Sequence, residues 1–246
     1  MGTISKQWEE AASLVMTPRT KEQNEEIRLR RLVQIRKAAA DVFLDKGMAL
    51  EIRDVAAQAG LGYGTVYHYY SNKGDLLHDV LWMAMERAGA WLMEPDGGQG
   101  GRGRRLSAQV VRLLEEWADD HGLYLLYKLA GDGFRLLPEA RALPLADCFR
   151  REVLLPFAAA LGMEPGGAGE PGEPPGSGRV VPGRWPFGRK VPEELMRRAE
   201  MLLAALAGCA SLPLRRGTLR QDAEHIVQIV HLRSEKNDYF EIAERN

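Results

Sequence analysis

The stretch that most restricts what this chain can become runs from Ile52 to Leu77, IRDVAAQAGLGYGTVYHYYSNKGDLL. Ile52, Val55, Ala56 and Ala59 recur at i, i+3, i+4 and i+7, the single apolar stripe of a short helix. Gly60 follows where a chain leaving a helix turns left-handed, a conformation that glycine adopts at little cost. The spacing predicts a second short helix over Leu61–Tyr70, and most of its side chains are aromatic, hydroxylic or absent: Gly62, Tyr63, Gly64, Thr65, Tyr67, His68 and Tyr69. Only Val66 and Tyr70 read as core anchors. A helix with so little to bury needs a partner surface on its outer side. Hydroxyls, an imidazole and bare backbone suit the grooves and phosphates of duplex DNA.

Upstream, Ile27–Lys46 reads as a helix with Leu32, Ile35, Ala39, Val42 and Phe43 inward and Arg30, Gln34, Lys37, Asp41 and Asp45 toward water, stopped by Gly47. With the two short helices it makes a unit of about 50 residues, small for independent stability. It is expected to lean on the next helix, Asp75–Met93, striped by Leu77, Val80, Leu81, Ala84, Ala88 and Trp91 and ended by Pro95.

The run AGLGYGTVYHYYSNKGDLL resembles the DNA-binding signature of the TetR family of transcriptional regulators, and IRKAAADVFLDKG (Ile35–Gly47) is similar to that family's first helix. The resemblance spans Arg31–Val80 and combines Ala38, Ala39, Phe43, Gly47, Val55, Ala56, Ala59, Gly60, Thr65, Tyr67, Lys73 and Leu76 at the family's spacing. It implies that Tyr63 and Gly64 meet base edges, Gly64 through close approach of its backbone. It implies phosphate contacts for Thr65, Tyr67, His68, Tyr69 and Lys73, the last just before a helix whose amides would bind the same phosphate. Arg53, on the exposed face of the preceding helix, is expected to reach a phosphate or a guanine. Tyr70 stands for the family's usual Phe and reads as core. The chain departs from the pattern at Gly62, where a Ser or Thr cap is usual, at Leu50–Glu51 in place of a Thr/Ser pair, and at Gly74 in place of an acid; the loop after Gly47 is one residue short. Two glycines beside Tyr63 suggest a recognition helix that orders fully only on DNA.

Composition adds exclusions. Net charge is −1, so the chain as a whole does not advertise nucleic acid, but between Ile27 and Lys73 eight bases (Arg28, Arg30, Arg31, Arg36, Lys37, Lys46, Arg53, Lys73) face four acids, a modest basic patch. Cys148 and Cys209 are far apart and without metal-site spacing, and read as reduced packing thiols. No apolar run has signal-peptide or membrane-span length, which predicts a cytoplasmic protein with no membrane partner. No metal and no cofactor are expected: His225 and His231 point different ways on a helix, Glu115–Glu116 and Asp119–Asp120 read as a solvated face, and DGGQGGRGRR (Asp96–Arg105) lacks the strand and the Gly-Lys-Ser/Thr of a phosphate loop. With no nucleophile elbow or triad order, the chain is read as not an enzyme.

The expected organisation is all-α: an extension over 1–26, a helix-turn-helix DNA-binding domain over 27–80, a helical effector-binding and dimerisation domain over 81–234, and a tail over 235–246. Within the second domain, Leu106–Asp120, Leu123–Ala130 and Glu139–Leu161 read as helices, the last bent or restarted at Pro144 and Pro156. In 165–192, 15 of 28 residues are Gly or Pro, which makes it a long loop. Glu193–Ala210 and Leu219–Leu232 carry broad apolar faces that suit a homodimer seam or, alternatively, an intrachain core. Trp117, Tyr124, Tyr127, Phe134 and Phe149 are the candidate lining of a pocket for a small, largely apolar effector, and suit plain core equally. The resulting expectation is a ligand-responsive homodimeric repressor on a pseudo-palindromic DNA operator. Two other readings stay open: a ligand-independent DNA-binding module, such as a nucleoid or division factor, and an enzyme with an appended DNA-binding unit.

Overall fold

The computed structural model describes residues 20–93, 102–162 and 191–230, and among these every regular element is a helix. Expectations for the extension up to residue 19, for most of the glycine run after Pro95, for 165–190, and for His231 and the tail lie outside the described residues.

Helix α1 (Lys21–Lys46) starts at Lys21, not at Ile27. The apolar stripe begins later than the helix because the start is fixed by polar chemistry. The Thr20 hydroxyl accepts from the Gln23 N–H at 3.2 Å while the Gln23 side chain accepts from the Thr20 N–H at 3.0 Å, a reciprocal capping box. Ion pairs Arg28–Glu25 and Arg30–Glu26 lie along its exposed first turns. A single tight turn (Gly47–Ala49) leads to α2 (Ile52–Ala59), α3 (Tyr63–Tyr69) and α4 (Lys73–Met85). Gly60 takes the left-handed conformation at φ 63°, as expected.

The helix expected over Asp75–Met93 is broken. After α4 the chain turns through Glu86–Gly89 before the short α5 (Ala90–Met93). Two tertiary contacts hold the break. The Tyr127 hydroxyl donates to the Ala88 carbonyl, and Gly89 lies so close to the Glu152 carbonyl that a Cβ there would sit 2.6 Å from its oxygen. That carbonyl is the one which Pro156, lacking an N–H, cannot answer from four residues on.

The C-terminal body comprises α6 (Arg102–Asp119), α7 (His121–Ala130), α8 (Glu139–Phe149), α9 (Leu155–Gly162), α10 (Glu193–Arg216) and α11 (Leu219–Ile229). Asp120 separates α6 from α7 by accepting from the Gly122 and Leu123 amides at 3.0 and 3.2 Å. Helix α8 runs through Pro144, with Ala142, Leu145 and Phe149 buried on either side of it. It joins α9 by one π turn (Arg150–Leu154), in which the Leu155 N–H reaches the Arg150 carbonyl. Helix α10 continues past Ala210 to Arg216, keeping Leu214 buried, and Gly217 closes it at φ 70°.

Helix α7 sits at the centre, packing on α1 and α4 from the N-terminal unit and on α6 and α10 from the body. Its side chains Leu123, Tyr124, Leu125, Leu126 and Tyr127 are all buried. The Tyr124 hydroxyl donates to the Ala207 carbonyl of α10 at 3.2 Å. Where α7 starts, His121 Nδ1 lies 2.6 Å from the Asp41 carboxylate of α1. At the far edge, Arg220 of α11 grips Asp119 of α6 with two bonds of 2.7 and 2.8 Å.

Candidate DNA interface and effector cavity

Helix α3 has no side-chain cap, because Gly62 offers only its carbonyl to the Thr65 and Val66 amides at 2.9 and 3.3 Å. Val66 and Tyr70 anchor it in the core. Tyr63, Gly64, Tyr67 and His68 occupy the exposed face. Tyr63 and Tyr67 are 54% and 49% exposed and their rings stack at 5.6 Å. No atom lies within 4 Å of a Cβ built on Gly64, so a base edge can approach the bare backbone there. Thr65 and Tyr69 are half-buried at the flanks, Tyr69 lying edge-on to His68.

The remaining two DNA candidates are engaged within the chain. Arg53 is exposed but pairs with Glu51 at 2.7 Å. Lys73 Nζ donates to the Met48 carbonyl at 2.6 Å and so straps the start of α4 to the turn after α1. A phosphate would have to draw the ammonium off that carbonyl.

A polar frame holds the recognition helix in place. Gln34, expected to face water, donates to the Ala59 carbonyl at 2.5 Å. Asp79 receives both the Tyr70 hydroxyl and, at 2.7 Å, Arg36. Burial, then the Asp79 bond and charge, push the Tyr70 phenol upward, so it stays protonated and donates. Asn72 caps α4, accepting from the Asp75 amide at 2.8 Å. Asp75 also pairs with Arg141 of α8, and that guanidinium holds its carboxyl below the usual carboxylate range.

In the C-terminal body the five aromatic candidates divide. Trp117 and Tyr124 are fully buried and pack together at 5.6 Å. Tyr127, Phe134 and Phe149 line a groove of about 650 Å³ between the end of α7, the α8–π-turn face and α10, within the range of small-molecule sites. The sequence reading missed the rest of the wall. Leu143, Ala146, Asp147, Arg150 and Leu154 form one face at i, i+3, i+4, i+7 and i+11; the bend or restart expected at Pro144 hid that stripe. From α10 come Met201, Leu203 and Ala204, with Glu200 at the rim.

Two polar details belong to this region. Tyr127 accepts from Trp91 Nε1 at 2.7 Å while donating to Ala88, and burial drives its phenol upward. Phe134 is buried with φ 58°, a left-handed backbone that bulky residues seldom adopt. Across the same turn, Leu136 helps to line a second, small cavity of about 30 Å³ against Ala40, Phe43, Met48, Lys73 and Leu77 of the N-terminal unit.

A short glycine-ended helix, a tight turn and a second helix with an exposed aromatic and glycine face, all braced on a longer helix, form a helix-turn-helix unit. Residues 35–80 match the family model described as bacterial regulatory proteins, tetR family. The N-terminal unit is thus similar to the DNA-binding unit of that family.

Solved structures similar to most of the chain include a tetR-family transcriptional regulator from Streptomyces coelicolor (19% identity, 88% of this chain and 95% of that one, TM-score 0.48). Another is a transcriptional regulator from Rhodococcus sp. Rha1 (21% identity, 81% and 92%, TM-score 0.48). A third is FadR from Bacillus subtilis in complex with stearoyl-CoA (17% identity, 82% and 97%, TM-score 0.48). No curated protein matches the chain. Among the described residues no helix is long and apolar enough to cross a membrane.

Proposed function

We propose that this chain is a cytoplasmic, effector-responsive regulator that works as a homodimeric repressor on a pseudo-palindromic operator. Each subunit lays α3 in a major groove, with half-site centres about 34 Å apart. Tyr63 and Gly64 read base edges; Thr65, Tyr67, His68 and Tyr69 position the helix on phosphates; Arg53 and Lys73 join them once drawn from Glu51 and Met48. The observation that carries the reading is the exposed α3 face, stacked tyrosines beside an open glycine on a helix firmly anchored from behind.

The dimer seam is assigned to α10 and α11, where Met201, Leu212 and Ile229 stand 67%, 54% and 63% exposed. The effector is a small, largely apolar molecule in the groove lined by Tyr127, Phe134 and Phe149. A groove of that size favours an effector over the ligand-independent reading. A ligand that prefers a subunit geometry unable to span two grooves lowers DNA affinity by its differential affinity for the two states. The test is to capture fragments of the source genome with the purified protein and sequence them. An inverted repeat with half-sites one helical turn apart is expected; a protein that enriches no sequence at low or high salt overturns the proposal.

A further inference from the structure

We infer that the effector groove is completed by a second copy of this chain, so that effector and partner subunit occupy one continuous site. The inference rests on the dimeric, effector-responsive reading above. The chain itself supplies three walls: Tyr127 and Phe134 from the end of α7 and its turn, Phe149 and Leu154 from α8 and the π turn, and Leu203 from α10. Among the described residues the remaining side is open, and its apolar rim is exposed. Leu143 is 61% exposed and Met201 67% exposed, with Ala204 exposed beside Met201.

Met201 and Ala204 belong to two features at once. They line the groove, and they begin an uncharged exposed stripe on α10 that continues through Ala205, Gly208 and Leu212 at i+4, i+7 and i+11 from Met201. Whatever covers that stripe also reaches the groove's open side.

A second copy fits both. A two-fold axis sets a surface on its own image, so an uncharged stripe meets an uncharged stripe. The polar groups at the groove, Arg150, Asp147 and Glu200, carry both signs, which a copy of the same surface can match and a uniformly acidic or basic partner cannot. Gly208 has nothing within 4 Å of a built Cβ, which leaves room for a bulky side chain of the opposite copy. Effector and dimer are then linked: each tightens the other by the same factor.

The test uses the full chain and 1-anilinonaphthalene-8-sulfonate, a probe with an apolar ring system, at protein concentrations spanning the monomer–dimer transition measured by sedimentation. Probe affinity is expected to rise at least tenfold from monomer to dimer. Gly208→Asp projects into open space on α10; it is expected to give a folded monomer, by circular dichroism, with that same loss. Leu212→Glu serves as a second, independent disruption of the stripe. Ala146→Trp fills the groove from α8 and is expected to remain dimeric while losing the probe. A monomer that binds the probe as tightly as the dimer overturns the inference and leaves the effector-responsive dimer standing, as does a dimer whose probe binding Ala146→Trp does not weaken. A chain that stays monomeric at every concentration overturns the inference together with the dimeric reading.

Discussion

Single residues in this protein are best understood by asking what each would leave behind. Phe134 holds a left-handed backbone at φ 58° while its ring is buried beside Phe149. The backbone costs about 1–2 kcal/mol for a residue with a Cβ, whereas deleting a buried phenyl costs about 3–5 kcal/mol. Packing therefore wins, and both Phe134→Ala and Phe134→Gly are expected to destabilise the fold in denaturant titration. Glycine should be the milder by about 1 kcal/mol, because it alone is relieved of the backbone cost. Tyr127→Phe removes the hydroxyl shared by Trp91 and Ala88 and strands a buried donor and acceptor; a loss of about 1–3 kcal/mol is expected in the same measurement. On the DNA side, Lys73→Ala should weaken binding evenly across sequences and make the salt slope shallower by about 1. An unchanged slope would show that its only task is the strap to Met48.

At the scale of elements, local chemistry was legible and tertiary chemistry was not. The stripe Ile52–Val55–Ala56–Ala59, the turn at Gly60 and the exposed face of α3 were all readable, since each follows from residues close in sequence. The start of α1 is invisible to apolar periodicity, because the polar pair Thr20–Gln23 fixes it. The break after Met85 could not be read locally, since its cause lies in Tyr127 and Glu152. The wall of the groove was lost for a related reason: a proline inside α8 looks like an interruption until burial on both sides is seen to outweigh one missing hydrogen bond. Of the aromatic candidates, only those at the end of α7, in its turn and on α8 border the groove, a distinction that composition does not carry.

Between elements, Asp75 and Arg141 join α4 to α8 across the two halves of the chain. The Asp75 carboxyl is depressed in the folded state, chiefly by the Arg141 bond. Its contribution is therefore present above the unfolded value, about 3.9, and is lost as pH falls through the lower folded value. Both side chains are partly exposed, so the gain is under about 1 kcal/mol. Asp75→Asn is expected to melt slightly below the parent at neutral pH. The two melting temperatures should converge as pH drops below the ordinary carboxylate range; a gap that widens toward acid would contradict the assignment.

Taken whole, the molecule hangs on α7, which touches the helix-turn-helix unit through α1 and α4 and the proposed seam through α10. The Gly89 contact ties two segments of this frame together. An alanine methyl there would lie 2.6 Å from the Glu152 oxygen, a backbone atom that cannot rotate away. Misfits of this kind cost about 1–3 kcal/mol. In a saturation library sorted only for folded protein, codon 89 should come back almost invariant although it belongs neither to the exposed face of α3 nor to the groove wall. The neighbouring exposed codons 86 and 87 should tolerate most of the alphabet.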